Sequence, residues 1–238
     1  VVRIRKQGLT RFSPEQLQPG VVYGMARTHD GAIWAAAEDG LARFDGRRWQ
    51  TEWQDWRLPE GRARAVFVDR TDTLWLATAG ELFYLPSGTR QFINAGVKVE
   101  WGSGFAQAPD GAIWLAERYK GVLYRIAREQ MRTTVDTFQM DVPASNLHVD
   151  HDGGLWISTL GQGVRYVDFP VDATRLRKAQ VFSFRDGLSA NYVWPIFADR
   201  EHNIWIGTSA GLDRLRTRVL MPSELPLDGL NYALAPGR

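Results

Sequence analysis

Five tryptophans recur along this chain at intervals of roughly 40 residues, and this spacing limits the folds open to it more than any other feature. Each ends a short turn segment, as in Asp30-Gly-Ala-Ile-Trp34. A glycine follows each tryptophan, with an apolar residue at once or one place on. Two markers kept in phase indicate an internal structural repeat. The tryptophans are Trp34, Trp75, Trp114, Trp156 and Trp205, and the glycines are Gly40, Gly80, Gly121, Gly163 and Gly211.

Each repeat divides into four short strands separated by turns. Asp-Gly pairs supply the positive φ angles that tight hairpins need, and no helical periodicity runs through the repeats. The sequence therefore predicts an all-β fold, a β-propeller of four-stranded antiparallel blades. In the first repeat we expect strands over 22–27, 32–37, 41–45 and 49–53.

The repeat predicts one propeller domain, or a fragment of one, with about five complete blades and a partial blade at both ends. Gly8-Leu-Thr-Arg-Phe12 matches Gly40-Leu-Ala-Arg-Phe44, and Asp228-Gly-Leu-Asn-Tyr232 echoes the entry to the fifth blade. These partial repeats favour a fragment, and the alternative is that the two ends share a closing blade. We expect partial blades over 1–20 and 221–238, and blades over 21–58, 59–96, 97–140, 141–186 and 187–220.

The repeat tryptophans are predicted to be structural. One large ring for each blade would fill the space between neighbouring sheets, so each should be more buried than Trp56 or Trp101. The turn aspartates, such as Asp30, should cap their own hairpins through local backbone hydrogen bonds.

Composition narrows the classes of function. The chain has no cysteine, which removes disulfides and thiolate metal sites, and its net charge of +2 comes without a block of like charges that would bind nucleic acid. No apolar run is long enough to span a bilayer. His148 and His151 would point to opposite faces of a strand, so no metal site is expected. No motif of catalysis or of cofactor binding is present, so we expect neither a catalytic residue nor a cofactor.

Three segments carry a resemblance to a known family. They read Asp150-His-Asp-Gly-Gly-Leu-Trp-Ile-Ser-Thr159, Asp199-Arg-Glu-His-Asn-Ile-Trp-Ile-Gly-Thr208 and Asp186-Gly-Leu-Ser189. This pattern resembles the repeats of the two-component regulator propeller family over nearly the whole chain. The match is weakest over 97–130, where the upstream aspartate is missing, and in the insertion 168–182.

The resemblance implies the sensory half of a bacterial signalling protein. It implies a periplasmic location, a membrane anchor and an output module in segments that are not in this sequence, and a possible homodimer of the full-length protein. It also implies a small-molecule ligand, with carbohydrates as the candidate class.

Binding residues are predicted from the repeat register. The five residues that stand eleven places before the repeat tryptophans should ring one mouth of the central channel, and they vary in type as residues facing one asymmetric ligand would. The loop Arg118-Tyr119-Lys120 should project beside them, and Trp56 and Trp101 lie in the approaches. For Trp56 and Trp101, covering a blade edge is the equal alternative. The register positions are Tyr23, Arg64, Ser103, Ser145 and Trp194.

Three hypotheses of function follow. The preferred one is a ligand-sensing propeller, and the alternatives are a scaffold that binds a protein through the same face and a propeller enzyme such as a lyase or glycosidase. Acidic residues from different blades could converge in space, which a sequence does not show.

Overall fold

The computed structural model describes residues 2–5, 8–11, 21–51, 54–58, 61–129 and 132–215, and these form an all-β array of five antiparallel blades. The predicted fold class is confirmed. Four blades have four strands, and the fifth has three within the described residues. In every sheet the strands are hydrogen-bonded in chain order, as expected for strands that are mostly joined by short turns.

The strands follow the repeat closely. The first blade contains β3 (Val22–Arg27), β4 (Ile33–Ala37), β5 (Gly40–Phe44) and β6 (Trp49–Gln50). The second contains β7 (Ala63–Val68), β8 (Leu74–Thr78), β9 (Gly80–Leu85) and β10 (Ile93–Val99). The third contains β11 (Gly102–Gln107), β12 (Ile113–Glu117), β13 (Val122–Glu129) and β14 (Arg132–Gln139). The fourth contains β15 (Ala144–Val149), β16 (Gly154–Thr159), β17 (Val164–Asp168) and β18 (Gln180–Phe182). The fifth contains β19 (Val193–Ala198), β20 (Ile204–Thr208) and β21 (Gly211–Leu215).

Small departures from the predicted bounds occur at the turns. In the first blade the second strand begins at Ile33, the third spans Gly40–Phe44, and the fourth ends at Gln50. The second blade runs to Val99, beyond the expected boundary at 96. The insertion 168–182 contains the one described α-helix, α1 (Ala173–Arg177), and single 3-10 turns lie at Gln54–Trp56 and Phe184–Asp186. None of the described helices is long and apolar enough to cross a membrane.

The segment before the first blade pairs with itself. Strands β1 (Val2–Arg5) and β2 (Gly8–Arg11) form an antiparallel hairpin with Ile4 opposite Leu9. A hairpin of this kind is what the outer half of a partial blade would form, and the assignment of residues 1–20 to such a blade stays a prediction. The partial blade expected over 221–238 lies outside the described residues and also stays a prediction.

The core consists of layers between successive blades. Trp34 packs with Leu74, Leu76 and Phe83 of the second blade, and Trp156 packs with Ile196 and Ile206 of the fifth. Burial of these rings supplies much of the apolar area that holds neighbouring sheets together. The space-filling role predicted for the repeat tryptophans is therefore confirmed for these interfaces.

The repeat tryptophan of the fifth blade is less buried than those of the other four blades. Trp34, Trp75, Trp114 and Trp156 are buried, whereas Trp205 is only half-buried, in the same class as Trp56 and Trp101. The predicted difference in burial is therefore confirmed for the first four tryptophans and stays a prediction for Trp205. Its ring faces the side on which a following blade would lie, and no described residues cover that side.

The turn aspartates of the first and third blades hold their own hairpins, as expected. Asp30 accepts hydrogen bonds from the Thr28 hydroxyl and the Ala32 backbone N–H, and these bonds lower the pKa of Asp30. Asp110 accepts the Ala112 N–H in the same way. The prediction was wrong for Asp72, which instead accepts the His29 N–H of the first blade.

A further aspartate, six residues before the tryptophan, anchors the ring itself. The indole Nε1 donates to Asp69 from Trp75, to Asp150 from Trp156 and to Asp199 from Trp205, at 2.6 to 2.9 Å. Burial opposes ionisation of Asp199, but the bonds from Trp205 and Asn203 outweigh it and lower its pKa to about 2. This is the upstream aspartate of the sequence pattern.

Candidate binding surface on the inner strands

The first strand of each blade contacts the first strand of the next blade, and these strands (β3, β7, β11, β15 and β19) are here called the inner strands. Every residue predicted to ring the channel lies at a β-bulge of an inner strand. The pairing of β3 with β4 skips Tyr23, that of β7 with β8 skips Arg64, and those of β11 and β15 skip Ser103 and Ser145. On β19 the skipped segment is Trp194-Pro195. A bulge bends the strand and re-aims one side chain away from the regular alternation, which is why bulges often lie beside functional sites.

The two serines among these residues join blades to each other. The Ser103 hydroxyl donates to the Ala144 carbonyl at 3.0 Å, and the Ser145 hydroxyl donates to the Val193 carbonyl at 2.6 Å. Ser145 is only 2% exposed. These contacts support a role in fastening inner strands together, and a ligand contact by either serine stays a prediction.

The other three residues contribute to a row of stacked aromatic and guanidinium groups, here called the aromatic belt. Its members come from four blades and the segments beside them. They are Tyr23, Arg64, Trp101, Arg118, Tyr119, Tyr192 and Trp194.

One half of the aromatic belt is built around Arg64. Its guanidinium lies 3.5 Å from the centre of the Trp101 ring and 5.2 Å from that of Tyr23. Tyr23 meets Trp101 edge to face, with ring centres 6.1 Å apart. Cation–π attraction of this kind contributes roughly 0.5–2 kcal/mol, more where water is excluded.

The other half is built around Arg118. Trp101 meets the Tyr119 ring at 5.3 Å, and the Arg118 guanidinium lies 4.9 Å from the centre of the Trp194 ring. Tyr192 meets Trp194 edge to face at 5.0 Å. Tyr23, Tyr119 and Trp194 remain between 39% and 63% exposed, so the aromatic belt presents ring surface to solvent.

A buried carboxylate holds Trp101 in place. Glu117, fully buried at the end of β12, accepts the backbone N–H groups of Glu100 at 3.0 Å and Trp101 at 2.8 Å. Burial raises the pKa of Glu117 above its ordinary value, although both N–H bonds oppose the shift. The Arg118 N–H returns a hydrogen bond to the Trp101 carbonyl. The Lys120 ammonium, predicted to bind ligand, forms an ion pair with Glu100 at 2.7 Å.

Sequence reasoning missed Glu117 and Tyr192. Both had a signal in the register. Glu117 ends its strand where the other blades have Ala37, Thr78, Thr159 and Thr208. Tyr192 is the counterpart of Trp101, since each carbonyl accepts the N–H that follows the second strand of its blade.

Trp56 lies apart from the aromatic belt. Its ring meets Trp34 at 6.0 Å and packs on the core between the first and second blades. There it lines a groove with Asp72, Ser87 and Arg90. This placement supports the alternative of an edge cover, and ligand binding by Trp56 stays a prediction.

These features define the class of protein: a β-propeller whose inner strands carry one bulge each and an aromatic surface at one end. A sequence model described as "Two component regulator propeller" matches residues 187–210. The chain is therefore similar to this family over the start of its fifth blade, in agreement with the resemblance of its repeats. No curated protein sequence matches it.

Solved structures share the fold at low sequence identity. The extracellular domain of the hybrid two-component system BT4673 from B. thetaiotaomicron superposes with a TM-score of 0.69 and 21% identity, over 85% of this chain and 28% of that one. PorZ of Porphyromonas gingivalis gives 0.66 and 12%, over 89% and 35%. Virginiamycin B lyase from Staphylococcus aureus gives 0.64 and 13%, over 86% and 72%. The chain thus spans less than a third of the two-component protein's domain.

Proposed function

We propose that this propeller is an extracytoplasmic, ligand-sensing part of a bacterial signalling protein and that it binds a small ligand at the aromatic belt. The observation that carries the proposal is the convergence of three predicted register residues, Tyr23, Arg64 and Trp194, on one partly exposed aromatic surface. The match at residues 187–210 supports the signalling role.

The surface suits a ring-shaped ligand. Tyr and Trp rings offer flat apolar faces with polar edges, which stack on sugar rings and on other ring systems. A carbohydrate is therefore the candidate class of ligand. The proposal includes a membrane anchor in other segments of the protein, a periplasmic location and homodimerisation of the whole protein.

The test is a thermal-shift screen of oligosaccharides and metabolites, followed by titration of variants with any compound that stabilises the chain. Trp194→Ala and Arg64→Ala should weaken binding at least tenfold and keep the β-sheet circular dichroism spectrum. Phe184→Ala is the matched control, because Phe184 is 64% exposed and is not a member of the aromatic belt.

Two results would overturn the proposal. Variants that bind as tightly as the parent chain would move the site away from the aromatic belt. Turnover of a bound compound, abolished by one substitution, would favour the enzyme hypothesis.

A further inference from the structure

The guanidinium of Arg64 is buried, and no acidic side chain among the described residues pairs with it. Arg64 is 5% exposed, and its Nε and Nη1 atoms have no hydrogen-bond partner in the described part of the chain. A buried charge is ordinarily paired, because taking it out of water costs several kcal/mol. The rings of Tyr23 and Trp101 lie against the flat face of the Arg64 guanidinium and offset part of this cost. They do not accept hydrogen bonds from its N–H groups, which point outward in the plane of the guanidinium.

Arg118 repeats the arrangement in the other half of the aromatic belt. Its Nε is buried and without a partner in the described residues, and its Nη2 reaches only the Tyr192 hydroxyl, at 3.5 Å. Both guanidinium groups therefore keep donors unused while their flat faces are held against aromatic rings.

Several arginines elsewhere in the structure have an acidic partner. Arg43 pairs with Asp30 at 2.8 Å, Arg125 pairs with Asp110 at 2.8 Å, and Arg165 pairs with Asp141 at 2.6 Å. Arg165 is the other buried arginine of the described residues, so the two buried guanidinium groups differ in that Arg165 has a carboxylate partner and Arg64 has none among those residues.

The acidic groups next to the aromatic belt are already engaged. The Glu117 carboxylate accepts hydrogen bonds from the backbone N–H groups of Glu100 and Trp101, and the Glu100 carboxylate forms an ion pair with Lys120. Within the described residues no carboxylate forms an ion pair with Arg64 or Arg118.

We infer that the ligand of the aromatic belt carries an oxyanion, a carboxylate or sulfate on a ring, and that Arg64 and Arg118 bind this group while the aromatic side chains stack on the ring. The inference rests on the proposed function and adds the chemical class of the ligand. Guanidinium forks match the planar oxygens of such anions, and charge-assisted bonds are about twice as strong as neutral ones.

The test compares ligands that differ only in charge. Trigalacturonic acid is titrated by calorimetry against its methyl ester, which keeps the rings and removes the charges. Benzoate is titrated against benzamide in a second arm, which separates an acidic sugar from an aromatic acid. We expect the acid of one pair to bind about tenfold or more tightly than its neutral partner, with affinity falling as salt rises.

Variants assign the preference to the guanidinium groups. Arg64→Gln and Arg118→Gln should each reduce the acid-to-neutral ratio of affinities toward one, because each removes the positive charge and keeps a long polar side chain. Arg118 is the second variant because it is only half-buried, and its replacement disturbs packing less. Arg200→Gln, at an exposed turn, is the matched control and should change neither affinity.

The outcomes separate this inference from the proposed function. Equal affinity for acid and neutral partner, or a preference that survives both substitutions, overturns the inference and leaves a neutral-ligand sensor standing. If neither member of either pair binds while a neutral compound from the screen does, the inference also fails. If no compound of the panel or the screen binds at the aromatic belt, both proposals fail.

Discussion

At the scale of single residues, the most informative contact is the bond from a repeat tryptophan to the aspartate six places before it, which three of the five blades have. It explains why the pattern keeps an aspartate there in addition to the turn aspartate. The third blade lacks this aspartate, and its repeat tryptophan has an unpaired indole N–H among the described residues. Ala108 stands at the position of the aspartate, and the tryptophan is Trp114, which is buried.

Replacing Asp150 by alanine is expected to destabilise the chain by about 1–3 kcal/mol, because the Trp156 indole and the Gly154 N–H both lose their acceptor. Asp152→Ala, in the same turn, is the control, since Asp152 is exposed and its ion pair among the described residues is with the neighbouring His151. Urea unfolding measures both. An equal, small effect of the two substitutions would mean that the indole bond contributes nothing.

The register made part of the candidate surface predictable from the sequence. Counting back from a fixed tryptophan found the bulge residues Tyr23, Arg64 and Trp194, because every blade bends at the same place. It could not separate these from Ser103 and Ser145, since the direction in which a bulged side chain points depends on the neighbouring blade. Nor could it find Glu117, whose partners belong to another strand connection and become its neighbours only after folding.

At the scale of elements, the inner strands set how closely blades approach. In the third blade the residue after the bulge, Gly104, has no free space for a side chain. A Cβ added at Gly104 would lie 2.6 Å from the Asn146 side-chain oxygen and 2.7 Å from the Asn146 Cα on β15. At the corresponding Gly24 the nearest atom, the Val66 backbone nitrogen, is 3.9 Å away.

Gly104→Ala should therefore push β11 and β15 apart and cost roughly 1–3 kcal/mol, as overpacking of a filled core does. Gly24→Ala is the matched substitution and should change stability by less than about 0.5 kcal/mol. Thermal and urea unfolding of both variants give the comparison. Equal losses would show that the cost lies in the backbone and not in the contact with the fourth blade.

At the scale of the whole molecule, the fifth blade exposes side chains that the other blades bury. Leu212, opposite Gly207, is 62% exposed, whereas Leu41, Leu82, Leu123 and Val164 at the same place are almost fully buried. Phe197 is 51% exposed and stacks on the half-buried Trp205. Blade stability should accordingly depend on the number of packed neighbours.

Hydrogen exchange measured by mass spectrometry is expected to show that blades with two packed neighbours are more stable than the fifth blade. Amides of β11, whose blade is covered on both sides, should exchange more slowly than amides of β19. Strand β15, with neighbours on both sides, is the internal comparison and should resemble β11. Uniform protection over all inner strands would indicate a single cooperative unit instead.

The bulges have a consequence for how such a chain can evolve. A residue left out of the ladder has no cross-strand partner to match, so exchanging it leaves the pairing of that blade untouched. Each duplicated blade thus arrives with one side chain outside its ladder, which can bond to the next blade, as Ser103 and Ser145 do, or join the aromatic belt. Natural selection, or a combinatorial library built on positions 23, 64 and 194, can therefore change which ligand is bound while the strand pairing of the propeller stays the same.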